Sequence, residues 1–278
     1  MSADYTPPDV WTWAGPGEST SLNRPTAGAR HQAELPVGKH PLQLYSRATQ
    51  NGIKVTILLE ELLEAGFDAE YDAWHIAIGK GEQFGSGFVA VNPNSKIPAM
   101  VDHGVTPPLR VFESASILLY LAEKFGAFIP KDPAARVEMM NWLFWQVGTA
   151  PALGNFGVFY DDAPEKIEFA INRFAMETKR LFDVLDRHLA DKDWVAGGEY
   201  TIADIAIWSW FGGLALGRHY GADRFLELAA YKNVMAWANR IDARPAVVRG
   251  CMVNRTSGPP SGRILERHSA ADFDKTGD

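Results

Sequence analysis

The pattern of hydrophobic and polar positions changes abruptly near residue 41. Residues 1–40 are rich in proline and glycine and show neither the two-residue period of a strand nor the 3.6-residue period of a helix. We therefore expect an irregular arm at 1–40 that packs only by wrapping another surface. Beyond it, Leu42-Gln43-Leu44-Tyr45 predicts a short strand, and apolar residues recur at helical spacing from Val55 to Leu63.

Residues 41–127 carry further short elements of both kinds. Their order is strand, helix, strand, long connection, strand, strand, helix, which is typical of a thioredoxin-like α/β domain. The later segments are a strand at 71–76, a glycine-rich irregular connection at 79–87, a hairpin of strands at 97–101 and 109–112, and a helix that Glu113-Ser114 begins and Gly126 ends.

The second half of the chain shows only helical periods. After Pro130-Lys131-Asp132-Pro133, which has the composition of a linker, they cover residues 137–150, 166–189, 201–216 and 225–242. The predicted organisation is therefore the arm, a thioredoxin-like domain at 41–127, an all-helical domain at 133–250 and a tail at 251–278. We expect the arm and the tail to wrap the body of the protein or a second copy of it.

One uncharged segment, residues 139–160, is long enough to cross a bilayer. Asparagine, glutamine and glycine residues interrupt its apolar character, and Pro151 should end a helix near Ala150. We interpret the segment as a buried helix followed by a loop, and we expect no association with a membrane.

The sequence Thr201-Ile202-Ala203-Asp204 has the pattern of a helix N-terminus. The Thr201 hydroxyl suits the N-cap position and the Asp204 carboxylate suits position N3, which together form a capping box. Tyr200 and Ile205 occupy the positions of a hydrophobic staple. The helix that follows is apolar nearly all round, so we expect it to be the central buried helix of its domain.

Composition narrows the classes of function. Of its 278 residues, 46% are hydrophobic and 22% are charged, so we expect a globular protein. The net charge is -7 and there is no basic cluster, so we do not expect nucleic acid as a partner. The single cysteine, Cys251, excludes an intrachain disulfide, a CxxC pair and a cysteine-based zinc site. Any thiol chemistry must then use sulfur from outside the protein. Residues 1–13 contain no apolar stretch, so we expect no signal peptide and a cytoplasmic location.

The turn Thr49-Gln50-Asn51 lies between a predicted strand and a predicted helix. Backbone N–H groups at a helix start, together with short polar side chains, can stabilise a thiolate there. The alternative is that Thr49 and Asn51 only cap the helix. The sequence leaves both interpretations open.

Two further segments contain groups suited to binding a ligand. Asn92 to Pro98 leads into the hairpin, where an X-Pro bond can persist in the cis form and a strand edge can pair with a peptide-like ligand; an ordinary turn is the alternative. Glu113-Ser114 begins a helix directly after a strand, so its hydroxyl and N–H groups suit a carboxylate and the glutamate suits an ammonium. Simple capping is the alternative here as well.

A thiolate site, a backbone-pairing strand and an amino-acid clamp together describe glutathione. On these motifs and on the capping box at 201–204, the chain resembles the glutathione transferase superfamily, and within it the bacterial nu class. The resemblance covers nearly the whole chain, and the segments that carry it include Asn23-Arg24-Pro25, residues 35–46, residues 140–145 and Ala170-Ile171-Asn172-Arg173-Phe174.

The resemblance implies a glutathione transferase fold and a set of site residues. Thr49 and Asn51 would lie near the thiols as the catalytic groups, and Glu113 with Ser114 would hold the γ-glutamyl group. The full set of implied glutathione-binding residues is Asn23, Thr49, Gln50, Asn51, Gln83, Lys96, Ile97, Glu113, Ser114 and Arg173.

The resemblance also implies a reaction. The protein would reduce disulfide bonds with two bound glutathiones, or bind oxidised glutathione, and would use neither a metal nor a cysteine of its own. It would also have weak transferase or peroxidase activity. It would act on small disulfide or electrophilic substrates as a homodimer. Conjugation of electrophiles is the alternative among enzymes, and a glutathione-binding regulatory or carrier protein is the alternative outside them.

The helical half departs from the nu-class pattern in one place. Gln146-Val147-Gly148 stands where the relatives have Leu-Gln before the glycine, so a polar contact to the second glutathione would be lost or shifted. Candidates for the wall of an electrophile pocket are Trp145, Phe156, Phe159 and Tyr160, although core packing explains these aromatic residues equally well.

Overall fold

A small mixed sheet forms the first domain of the computed structural model, which describes residues 6–13, 15 and 22–274. The strands are β1 (Leu42–Ser46), β2 (Tyr71–His75), β3 (Ala99–Asp102) and β4 (Leu109–Phe112), and the helices are α1 (Gly52–Glu64), α2 (Ser86–Val91) and α3 (Ser114–Phe125). The sheet order is β2-β1-β3-β4, with β1 parallel to β2 and antiparallel to β3, and β4 antiparallel to β3. This is the predicted thioredoxin-like arrangement.

Side chains that alternate along β1 belong to two separate hydrophobic cores of this domain. Leu42 and Leu44 belong to the main core with α1, whereas Tyr45 belongs to a smaller core with Phe88 and Val91 of α2. The Tyr45 hydroxyl donates to the carbonyl of Pro36 at 2.7 Å, so its hydrogen is already engaged. The connection at 79–87 is less irregular than predicted, since it leads into α2.

Helices make up the second part of the chain. They are α4 (Pro133–Gly157), α5 (Glu168–His188), α6 (Ile202–Ile207), α7 (Gly213–Ala215), α8 (Lys232–Asp242) and α9 (Pro245–Met252), with a π-helical segment at Trp208–Gly212 between α6 and α7. The helix predicted from residue 225 begins only at Lys232, because Glu227 has a φ of 54° that no helix continues. The short helix α9 was not predicted.

The prediction that a helix ends near Ala150 is wrong. Helix α4 runs through Pro151 to Gly157. Pro151 lies on the exposed side of the helix, whereas Leu143, Leu153 and Phe156 before and after it are buried in the core. Packing on both sides of the proline therefore outweighs the lost backbone hydrogen bond.

The start of α6 confirms the predicted capping box. Thr201 Oγ1 accepts from the Ala203 N–H, and Asp204 Oδ2 accepts from the Thr201 N–H at 3.0 Å. Every residue of α6 is buried, as expected of a central helix. Asp204 Oδ1 also accepts from the Val195 N–H and from Trp237 Nε1, so one carboxylate joins three segments.

The C-terminal tail packs along β2. Arg267 and Ala73 exchange both backbone hydrogen bonds, at 2.8 and 3.2 Å. The Arg267 side chain is fully buried, with Nη1 2.7 Å from Glu70 and Nε 3.2 Å from Glu60. The arm is also attached to the first domain, because the backbone of His31 pairs with that of Gly85. Residues 1–5, 14, 16–21 and 275–278 of the predicted arm and tail lie outside the described residues.

Candidate active site

The turn after β1 presents hydrogen-bond donors at the start of α1. Thr49 Oγ1 accepts from the Gly52 N–H at 3.2 Å, which leaves the Thr49 hydroxyl hydrogen free to donate elsewhere. Asn51 does not cap α1 with its side chain. Its Oδ1 instead accepts from Trp210 Nε1 at 3.0 Å, so its amide nitrogen remains to donate. The capping interpretation therefore holds for Thr49 and not for Asn51.

The N-terminus of α3 supplies the second part of the site. Ser114 is its first residue, and Glu113 before it has a φ of 70° and a ψ of 120°, a backbone conformation that a side chain normally avoids. Neither side chain caps the helix. Strain of this kind is typical of functional sites, and here it holds the Glu113 carboxylate in an exposed position beside Ser114.

Lys54 is a charged residue that the sequence analysis missed. It comes from α1, is 1% exposed, and its Nζ donates to Ser114 Oγ at 3.3 Å and to Gln146 Oε1 at 2.7 Å. Burial lowers the pKa of Lys54 to about 7, and the nearby charge of Glu113 opposes that shift. Its spacing of four residues from Leu58, on the apolar face of α1, was the available signal.

A cleft of about 820 Å³ joins these groups between the two domains. Four of the predicted ligands line it, namely Asn51, Lys96, Glu113 and Ser114. The helical domain contributes the opposite wall, with Leu143, Phe144, Gln146, Val147, Ala150 and Trp210. The turn of α1, the start of α3 and the middle of α4 thus converge on one space.

The remaining predicted ligands lie at different distances from this cleft. Thr49 and Ile97 are chain neighbours of the lining segments, and the peptide bond between Ile97 and Pro98 is cis. Lys96 Nζ donates to Asn23 Oδ1 at 3.3 Å, which connects the arm to the cleft wall. Gln50 donates to the Tyr220 hydroxyl at 3.5 Å.

Gln83 and Arg173 do not line the cleft. Gln83 is buried, its Nε2 donates to the Ile78 carbonyl at 3.2 Å, and its Oε1 has no partner within the described part of the chain. Arg173 is exposed on α5. Their assignment to glutathione stays a prediction.

The aromatic residues proposed for an electrophile pocket pack elsewhere. Trp145 stacks on Phe211 at 5.1 Å, and Phe156 is fully buried against Tyr160. Phe159 stacks on Phe174. Core packing is therefore the correct interpretation for Trp145, Phe156 and Tyr160. The aromatic residues that line the cleft are Phe144 and Trp210.

Cys251 lies away from this cleft. It lines a separate cavity of about 650 Å³ with Arg47 and Arg255 among the neighbouring residues. Burial raises the pKa of the Cys251 thiol to about 12, so the thiol is protonated at neutral pH and is a poor nucleophile. Across residues 6–13, 15 and 22–274, no three His, Cys, Asp or Glu side chains cluster as metal ligands would. No helix in the same ranges is both long and apolar enough to span a membrane.

Residues 40–123 match the model of the glutathione S-transferase N-terminal domain, and residues 168–240 match that of the glutathione S-transferase C-terminal domain. The sheet, the helical half and the cleft between them define the same class, and the chain belongs to the glutathione S-transferase family. It is similar over nearly its whole length to the disulfide-bond oxidoreductase YghU of Escherichia coli K12, at 61% identity over 274 residues, covering 97% of this chain and 95% of the relative.

Two solved structures extend the comparison. The glutathione transferase YghU of Streptococcus pneumoniae, complexed with glutathione, is 57% identical with a TM-score of 0.87, covering 91% of this chain and 98% of the other. A glutathione transferase of Pseudomonas putida, with one glutathione disulfide bound per subunit, is 39% identical with a TM-score of 0.71, covering 77% of this chain and 93% of the other.

Proposed function

We propose that the protein is a glutathione-dependent disulfide-bond reductase that uses two bound glutathiones, or binds their disulfide, and no cysteine of its own. The observation that carries the proposal is that Asn51, whose amide nitrogen remains to donate, lines the cleft at the turn that also contains Thr49, whereas Cys251 lines a different cavity. The name of the Escherichia coli relative and the glutathione disulfide of the Pseudomonas putida transferase support the same reaction.

The proposed roles follow from what each group can donate or accept. Thr49 and Asn51 donate to the reacting sulfur, Ser114 donates to the γ-glutamyl carboxylate, and Glu113 accepts from the γ-glutamyl ammonium. Lys96 suits the glycyl carboxylate, and the backbone of Ile97 suits the cysteinyl unit. Asn23 contributes to glutathione binding by accepting a hydrogen bond from Lys96. Gln50, Gln83 and Arg173 complete the proposed set.

The reaction is thiol–disulfide exchange in two steps. A first glutathione thiolate attacks one sulfur of the substrate disulfide, forms a mixed disulfide and releases the other substrate sulfur as a thiolate. The second glutathione thiolate attacks the glutathione sulfur of that mixed disulfide, releases the second substrate thiolate and leaves glutathione disulfide. Two electrons pass from two glutathiones to the substrate, and the released thiolates take up the two glutathione protons. Holding both tripeptides in one cleft makes the second step intramolecular.

The site favours the thiolate by electrostatics. A free thiol has a pKa near 8.5 and is mostly protonated at neutral pH, and each unit by which its pKa falls corresponds to about 1.4 kcal/mol. The N-terminal N–H groups of α1 and the donors on Thr49 and Asn51 all stabilise the charged form.

The test is reduction of 2-hydroxyethyl disulfide by glutathione, followed through glutathione reductase. Thr49→Ala and Asn51→Ala should each lower kcat/KM about tenfold or more, as loss of one charge-assisted hydrogen bond predicts. Cys251→Ala should retain the activity of the wild type. Full activity in both turn variants, or its loss in Cys251→Ala, would refute the proposal.

The apolar wall of the cleft favours a second candidate, conjugation of an apolar electrophile. Leu119, Leu143 and Phe144 would contact such a substrate. The same variants should be assayed with 1-chloro-2,4-dinitrobenzene. A kcat/KM for this electrophile that exceeds the value for the disulfide would favour conjugation, and glutathione binding without either turnover would favour a carrier.

We also propose a homodimer of the nu class that works in the cytoplasm, where glutathione is kept reduced. Apolar side chains exposed on α4 and α5 support the dimer, since Phe169 is 82% and Val137 61% exposed. Light scattering on the purified protein tests this, and a mass equal to one chain at micromolar concentration would contradict it.

A further inference from the structure

Lys54 belongs to the wall of the cleft but is almost completely buried in it. Lys54 is 1% exposed, whereas Ser114, which accepts from it, is partly exposed and lines the cleft. A ligand in the cleft would therefore reach the Ser114 hydroxyl more readily than the ammonium that donates to it.

The direction of this hydrogen bond determines what Ser114 can offer. In its charged form Lys54 has donors and no acceptor, so Ser114 Oγ accepts from Lys54 Nζ, 3.3 Å away. Within the described part of the chain the Ser114 hydroxyl has no other side-chain partner. Its hydrogen is consequently left to donate toward the cleft, which suits an anionic ligand group and not a cationic one.

We propose that Lys54 is a positioning residue of the glutathione site, which turns the Ser114 hydroxyl into a donor and sets a positive charge behind the γ-glutamyl carboxylate. The proposal rests on the proposed function, in which Ser114 holds that carboxylate. Because Lys54 is 1% exposed and donates to Ser114, it acts on the ligand through Ser114, and its effect is specific to one of the charged groups of the tripeptide.

Gln146, in the helical domain, fixes the position of the Lys54 ammonium. Its Oε1 accepts from Lys54 Nζ at 2.7 Å, and the whole residue is buried. Gln146 is neutral and adds no negative charge beside the ammonium, so the carboxylate of Glu113 is the opposite charge that acts on it and its field extends through Ser114 to the ligand. The position of the ammonium, and with it the orientation of Ser114, thus depends on the contact between α1 and α4.

The experiment compares two thiols on the wild type and on Lys54→Met, which keeps the length of the side chain and removes its charge. One thiol is glutathione, and the other is 4-aminobutyryl-cysteinylglycine, which lacks only the γ-glutamyl carboxylate. Lys54→Met should raise KM for glutathione about tenfold with kcat changed less than threefold, in keeping with the loss of a charge-assisted interaction. KM for the analogue should be the same in both proteins.

Lys179→Met is the matched control, because Lys179 donates to the Leu226 carbonyl and to Glu227 outside the cleft. It should leave KM for both thiols unchanged. An equal loss on both thiols in Lys54→Met would assign Lys54 a purely structural role and overturn the proposal, as would an unchanged KM for glutathione.

If Lys54→Met does not fold, Gln146→Leu keeps the lysine and removes the group that holds it. It should weaken glutathione binding and leave binding of the analogue unchanged, and equal effects on both would overturn the proposal. Calorimetric titration with both thiols gives this comparison without turnover. An absent disulfide reductase activity would therefore count against the proposed function, while the Lys54 proposal would still be decided by the titration.

Discussion

Trp210 Nε1 of the helical domain donates to Asn51 Oδ1, 3.0 Å away, at the turn where the reacting sulfur is proposed to bind. This bond fixes the orientation of the Asn51 amide and leaves its nitrogen, the only donor of the side chain, to a ligand. The thiol end of the cleft is therefore completed by contact between the two domains.

We expect Trp210→Phe to lower kcat/KM for disulfide reduction about tenfold, or about 1.4 kcal/mol of transition-state stabilisation. The ring would be retained, and the Asn51 amide would lose its fixed orientation. Trp142→Phe is the control, since the Trp142 indole donates to Glu138 on the surface of α4. Equal activity of the two variants would contradict the role assigned to Trp210.

The depressed pKa of Lys54 predicts a pH dependence of stability. With a pKa of about 7 in the folded protein and 10.5 as the ordinary value, the unfolded chain binds more protons between these limits. The contribution of Lys54 to the free energy of unfolding therefore rises as the pH increases through this window. Glu113, Ser114 and Gln146 are the groups that face it.

Urea denaturation at pH 6.5 and pH 9 measures the effect. The stability of the wild type relative to Lys54→Met should increase between the two values. A difference that stays constant would mean that Lys54 has an ordinary pKa in the folded protein.

Asp204→Ala should lower the free energy of unfolding by about 3 kcal/mol. The variant loses the cap of α6, worth about 1 kcal/mol, and leaves the Val195 N–H and Trp237 Nε1 unpaired, at about 1 kcal/mol or more each. Asp204→Asn keeps an acceptor at this position and should lose less. Chemical denaturation of both variants is the measurement, and an unchanged unfolding midpoint in Asp204→Ala would disprove this role.

Arg267→Met should destabilise the protein by about 3 kcal/mol, because it leaves the buried Glu60 with one fewer cation. Arg249 also pairs with Glu60, so the loss is not complete. Arg263→Met, which removes an exposed arginine from the same tail, should change stability by less than about 0.5 kcal/mol. Thermal unfolding of the two variants side by side tests whether the tail contributes to stability through Arg267.

Cys251 should react slowly with iodoacetamide in the folded protein at pH 8. Its pKa is raised to about 12, so the reactive thiolate is a very small fraction at that pH. In urea the pKa returns to its ordinary value and alkylation should accelerate strongly. Mass spectrometry of timed samples measures both rates, and equal rates would mean that the folded thiol is not shielded.

The hydrophobic pattern predicted the order of strands and helices and the capping box, because these depend on neighbours along the chain. Thr201 and Asp204 are three residues apart, so their sequence is sufficient to predict their bond. The pattern failed at Pro151, where burial of Leu153 and Phe156 keeps α4 intact. That burial depends on helices distant in the sequence.

The sequence determined by itself that no intrachain disulfide or CxxC pair could act, and motif and resemblance supplied the predicted glutathione ligands. Only the tertiary structure decided which donors face the cleft. Lys54 meets Ser114 and Gln146 across sequence separations of 60 and 92 residues, and Asn51 meets Trp210 across 159. No local pattern encodes such contacts, because they form only when helices distant in the sequence pack against one another.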